Sequence, residues 1–153
     1  MRKSLLGTYI KIIIAVLIIG ALIYVAIKFL YNEYDKQEYE TVKTNMLLIQ
    51  NKTEIIAQKV EIKEKDAKYI GTKIKEKENN ADIQNLINNK IIDIKSKEHN
   101  YYCIDNSNLK ELGLENIEID NFYIVDYEKN DIIYVDGIED STGNVIYKLS
   151  EMK

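Results

Sequence analysis

Residues 12–27, IIIAVLIIGALIYVAI, form an apolar run with no charged or amide side chain. Sixteen helical residues rise about 24 Å, short of the ~30 Å hydrocarbon core of a bilayer. Extending the segment to Tyr9–Tyr31 closes the gap. Lys11 and Lys28 then carry their ammonium groups outward on long alkyl stems, and Tyr9, Tyr24, Phe29 and Tyr31 stand near the two ends. The sequence predicts one membrane-spanning helix over residues 9–31, with residues 1–8 as a short cytoplasmic N-terminus.

Charge sets the expected orientation. Arg2, Lys3 and Lys11 precede or open the span, and no acid accompanies them. All 25 acids lie beyond residue 31, against 17 of the 21 bases, a net of −8 for that part. Basic residues on the N-terminal side keep that end in the cytoplasm and send the remainder across. The acidic remainder excludes nucleic acid as a natural partner and disfavours an anionic lipid surface. The expected partners are membrane lipid and other membrane or envelope proteins, with self-association among the options. A removable secretory signal is the rival reading. The apolar stretch is long for one, and Tyr24-Val25-Ala26 and Ile19-Gly20-Ala21 both put a bulky residue at the first small position of a cleavage site.

The chain of 153 residues has room for one anchor and one small domain. It contains no Pro, so the sharpest helix stop is missing. From Tyr31 to Lys65 there is also no Gly, and a membrane-proximal helix is expected over residues 32–65. Val42, Met46, Ile49, Thr53, Ile56 and Val60 recur at spacings of three and four, one stripe of that helix. Leu48, Ile55 and Ile62 repeat at seven, about 120° around it at roughly 100° per residue. The simpler expectation is a single intramolecular core that covers both faces. The alternative is a small sheet on one face and a neighbouring subunit on the other.

Residues 66–153 are expected to form a small α+β domain. Residues 63–80 read as the helix exit and a solvated surface loop. Asn80 is placed to cap a short helix over 81–90, with Ile83, Leu86 and Ile87 facing inward. Tyr101–Ile104 reads as a strand. Asp105-Asn106-Ser107-Asn108 offers caps for a helix ending before Gly113. Phe122–Tyr127, Ile132–Asp136 and Val145–Leu149 read as strands of an antiparallel meander, with Asn130 at a positive-φ turn position. Cys103 is the single cysteine and fits a small buried hydrophobe on a strand. His99, the single histidine, lies in a polar stretch and reads as solvated.

The order of these parts resembles the type IV pilin and pseudopilin family, including the pseudopilins of type II secretion systems. A short basic leader, MRKSLLG, ends at Gly7, an apolar helix continues into an amphipathic one, and a meander closes the chain. The segment Tyr123-Ile124-Val125-Asp126-Tyr127-Glu128-Lys129-Asn130-Asp131-Ile132-Ile133 looks like the hairpin of many pilin-like proteins, with Asn130 where Gly is common. The resemblance implies a pilin-like fold and a candidate processing site after Gly7. Two family positions differ: Thr8 stands where Phe usually follows the cut, and Ile12 where the fifth mature residue is usually Glu. That carboxylate is thought to neutralise a neighbour's new α-amino group. Its replacement points to an uncleaved, pilin-like membrane protein.

Catalytic constellations are not readable here. One His and one Cys supply no triad spacing, and Gly71, Gly113, Gly137 and Gly143 are isolated rather than grouped around a phosphate. The chain is expected to be non-catalytic. Asp136, Glu139, Asp140 and Asn144, with Ser141 and Thr142, put oxygen ligands in one loop of the kind that suits Ca²⁺. Some pseudopilins bind calcium in their terminal β region, so the resemblance adds to that candidate. No other cofactor is expected. Gly20, Ala21 and Ala26 permit close helix approach in the membrane, or simply face lipid. The functional expectation is a structural or assembly component of a pilus or secretion-type apparatus. The alternative is a bitopic coiled-coil scaffold, of the kind found at the division septum, using the 42–60 stripe as its seam. A tethered sensor domain is a third option.

Overall fold

The computed structural model describes the backbone of residues 2–153 and the side chains of residues 9–153. The chain divides into two units, residues 1–38 and 39–153. One helix, α1 (Arg2–Glu61), contributes to both. It stops at Glu61 rather than at the expected Lys65. Lys63 and Asp66 adopt positive φ (55° and 64°), which unwinds the chain without proline or glycine.

In the first unit every described side chain is exposed. Among the described residues, the apolar run has no buried member.

The second unit is an α+β arrangement around a five-stranded antiparallel sheet. Its strands, in spatial and chain order, are β1 (Thr72–Lys73), β2 (Tyr101–Ile104), β3 (Tyr123–Asp126), β4 (Asp131–Glu139) and β5 (Val145–Lys148). Two short helices interrupt the meander, α2 (Ala81–Asn88) and α3 (Asn106–Glu111). The expected caps are made. Asn80 accepts from the amides of Asp82 and Ile83, and Asp105 forms a reciprocal capping box with Asn108. Gly113 (φ 71°) ends α3, and the Leu114 amide bonds back to the Leu109 carbonyl. Asn130 turns β3 into β4 at φ 50°.

The sheet is buried on both faces. Tyr102, Ile104, Tyr123, Val125 and Ile132 point to the α1 side, where Val42, Met46 and Ile49 join them. Tyr101, Cys103, Ile124, Ile133 and Val135 point the other way, onto Ile74, Ile83, Leu86 and Ile92. A strand covered on both faces reads as a continuous apolar run rather than an alternating one, and YYCI and YIVD do.

Three expectations change. Residues 63–80 are not merely a surface loop: they hold β1 and a 3₁₀ turn (Ile74–Lys77) that buries Ile74. The strand expected over 132–136 runs on to Glu139 across a register shift. Gly137 makes this possible, because at φ 69° a Cβ there would stand 2.6 Å from Val145 Cγ1. The single core does not cover both faces of the helix. Val42, Met46, Ile49 and Thr53 are buried, whereas Leu48, Ile55 and Ile62 are 43%, 52% and 74% exposed. Thr53 fits the core because its hydroxyl donates to the Ile49 and Gln50 carbonyls.

An aromatic cluster joins the segment after α1 to the sheet. The Tyr127 ring packs against Tyr69 (4.4 Å between centroids) and edge-on to Tyr102 (5.3 Å). Its hydroxyl donates to the Ile70 carbonyl (3.0 Å) and accepts from the Ile70 amide (3.2 Å).

The two faces of the helix predict opposite costs. Met46→Ala or Ile49→Ala is expected to lower unfolding free energy by about 2–5 kcal/mol, and Ile55→Ala by less than about 0.5 kcal/mol, in urea titrations of the full chain. The buried tyrosines predict the alkaline limit. Burial pushes the Tyr101 and Tyr123 hydroxyls up to about 12 and raises Tyr127 as well. A raised folded-state value favours the neutral phenol. Stability is therefore expected to be level below pH 10 and to fall between pH 10 and about 12. Level stability through that window would contradict the burial.

Candidate functional site

Four places carry candidate functional residues. The first is the apolar helix. From Tyr9 to Glu61 it is long and apolar enough to cross a membrane, and none of its most apolar window is buried within the chain. Gly20 and Ala21 lie in this stretch. A Cβ added at Gly20 meets nothing within 4 Å, so its small size serves no contact inside the chain. Gly7, the candidate processing position, and the 1–8 segment lie outside the residues whose side chains are described.

The second is the 42–60 stripe. Val42, Met46 and Ile49 are buried, and Ile56 and Val60 are half-buried. Most of this surface is taken by the chain's own sheet. Gln50 also donates to the Asn130 carbonyl (2.6 Å), tying α1 to the β3–β4 turn. A coiled-coil seam on this face would have to displace the sheet.

The third is residues 136–144, the end of β4 and the turn into β5. Asp140 is turned inward on its own loop. Its Oδ1 accepts from the Thr142 amide, the Thr142 hydroxyl and the Asn144 amide at 2.7–3.0 Å. The Thr142 hydroxyl, followed by the Asn144 amide, holds its carboxyl below the usual range. Asp136 is bonded instead by Asn121 (3.0 Å), and Glu139 ends β4. Among the described residues, no three His, Cys, Asp or Glu side chains are grouped to hold a metal. The loop is ordered by its own hydrogen bonds.

The fourth has no motif in the sequence. His99 is not simply solvated: its Nδ1 donates to Asp126 Oδ2 at 2.5 Å, and its ring stacks on Tyr101 (5.0 Å between centroids, 9° between planes). Asp126 is 2% exposed. Its Oδ1 also accepts from the amides of Asn100 (3.0 Å) and Glu128 (3.2 Å), so the carboxylate takes three N–H donors at the end of β3, beside the start of β2. A buried acid needs such partners. The one signal in the sequence is a single acid inside an otherwise apolar strand, but its partner is 27 residues away. Beside this pair lies an open cleft of about 450 Å³, whose lining includes Lys73, Lys75, Lys95, Lys97, His99 and one acid, Glu128. None of those four lysines forms an ion pair among the described residues. The arrangement is an open hollow with four lysines to one acid, beside a structural His–Asp clasp.

Cys103 is free and buried in the sheet, and burial raises its thiol to about 11. A thiol so placed is a core hydrophobe, not a nucleophile.

No protein-family model, curated protein or solved structure matches this chain.

The clasp makes a testable statement about stability. Asp126→Ala leaves two backbone amides and His99 without their acceptor, and is expected to cost about 1–3 kcal/mol in denaturant titrations. Glu128→Ala, at an exposed neighbour, is expected to stay within about 0.5 kcal/mol. Equal effects would show that the carboxylate holds nothing together.

Proposed function

We propose that this is a single-pass membrane protein with its N-terminus in the cytoplasm and its 39–153 unit outside. It acts as a non-catalytic structural or assembly component of the cell envelope. One observation carries the proposal. Every described side chain of the apolar helix over residues 9–38 is exposed, while the 39–153 unit closes a core of its own. Burying or solvating some twenty apolar side chains is a problem that a bilayer solves. The basic residues before the span and the acidic excess after it supply the direction.

Within this class, a pilin- or pseudopilin-like role is favoured by layout. An apolar helix continues into an amphipathic one whose inner stripe backs an antiparallel meander. The pilus or secretion-type apparatus of the type II class is the corresponding setting. The bitopic scaffold reading draws on a different observation, the exposed Leu48, Ile55 and Ile62 at seven-residue spacing.

Protease added to intact cells stripped of their wall tests the proposal. Digestion of the 39–153 unit, with a tag at the N-terminus protected, is the expected result. A protected unit, or a polypeptide recovered freely soluble, would refute it. Mass spectrometry of the native N-terminus separates the two roles. A chain starting at Thr8 belongs to the prepilin pathway, and a start before it marks an uncleaved protein.

A further inference from the structure

The outer face of α1 in the 39–153 unit is uncharged along its length. Leu48, Ile55 and Ile62 alternate with Thr44, Asn51 and Gln58, and all six are exposed. At roughly 100° per residue this strip lies well over a third of a turn from the Val42–Met46–Ile49–Thr53 stripe that meets the sheet. A second helix laid on it would therefore not compete with the sheet. The Ile62 amide still bonds to the Gln58 carbonyl (3.0 Å), so the strip continues to Ile62 although the helix formally ends at Glu61.

The flanks of the strip are charged with opposite sign. Glu40, Leu47, Glu54 and Glu61 stand one residue before each seven-residue position, on one side. Asn45, Lys52 and Lys59 stand four residues after, on the other. In a parallel pair of such helices, each Glu54 faces Lys59 of the second copy. In an antiparallel pair, glutamate flank meets glutamate flank and lysine flank meets lysine flank. The charge pattern is thus complementary to itself in one orientation only. Lys59 is available for the exchange, because its present partner Glu64 is 3.9 Å away and both side chains are about half exposed.

We infer that this strip is the contact surface for a second copy of the same chain, packed parallel and in register. The inference rests on the membrane-anchored reading. Two copies inserted with one topology leave the bilayer with their chains running in the same sense, the orientation the charges select. The contact is short, and its alternate layers are Thr44, Asn51 and Gln58 rather than leucines. Polar layers weaken a coiled coil while fixing its register. Confinement to a membrane offsets that weakness by raising the effective concentration of the second copy.

Cysteine cross-linking of the full chain in native membranes tests the inference. Leu48→Cys, Ile55→Cys and Ile62→Cys are each expected to give a disulfide-linked dimer on mild oxidation. Glu61→Cys, a third of a turn from the centre of the strip, is expected to stay monomeric, as is the parent with its buried Cys103. Glu54→Lys and Lys59→Glu are each expected to lower the Ile55→Cys dimer yield by roughly two- to fivefold, as befits two exposed ion pairs per dimer. The double variant is expected to restore it. These positions are exposed, so the domain core is untouched.

Links between Leu48→Cys on one copy and Ile62→Cys on another would mean an antiparallel contact and overturn the inference. So would an adduct of another mass, which would identify a different protein on the strip. Absence of any link with the chain still in alkali-washed membranes refutes the dimer and leaves the anchor standing. Release of the chain by the alkali wash removes the anchor, and the inference falls with it.

Discussion

The packing of the Val42–Met46–Ile49–Thr53 stripe of α1 against one face of the sheet is the contact on which the second unit depends. The sheet cannot exist alone. Its central strands are apolar on both faces, and β2 and β3 are only four residues each. Without α1 on one side and the Ile74–Ile92 layer on the other, Tyr123, Ile124 and Val125 would meet water. Burial of such side chains, at ~1.5–3 kcal/mol each, is the chief force holding a small domain together. Hydrogen bonds then tie the helix to the sheet, with Gln50 on the Asn130 carbonyl, and the segment after the helix to β3, with Tyr127 on Ile70.

The same helix presents three chemically different surfaces along its length. An all-round apolar segment comes first, and its described side chains are exposed. Farther along, one stripe is spent on the sheet. Nearly opposite, an uncharged strip with oppositely charged borders is left open.

The polar features of the 39–153 unit serve chiefly to close it. Asp126 gathers His99 and two amides at the end of β3. Asp105 and Asn80 cap helices, and Asp140 knots the last turn. In each case an acid or amide satisfies backbone donors that would otherwise be stranded. The four lysines around the His99 cleft are the exception, since no acid among the described residues pairs with them.

The sequence alone determined those features whose cause is local. The membrane-length helix follows from an uninterrupted apolar run, the caps at Asn80 and Asp105 from side chains adjacent to the amides they bind, and the turns at Gly113 and Asn130 from residues that tolerate positive φ. The strands Tyr101–Ile104 and Tyr123–Asp126 announced themselves by composition. Tertiary structure alone decided what faces what. Thr72–Lys73 is a strand only because β2 lies beside it, and Ile74 is core only because α2 covers it. His99 is a clasp because folding brings Asp126 to it across 27 positions. Two apolar stripes on one helix look equivalent in sequence, because periodicity measures angular spacing and not occupancy. Only the sheet's position made one of them core and left the other exposed.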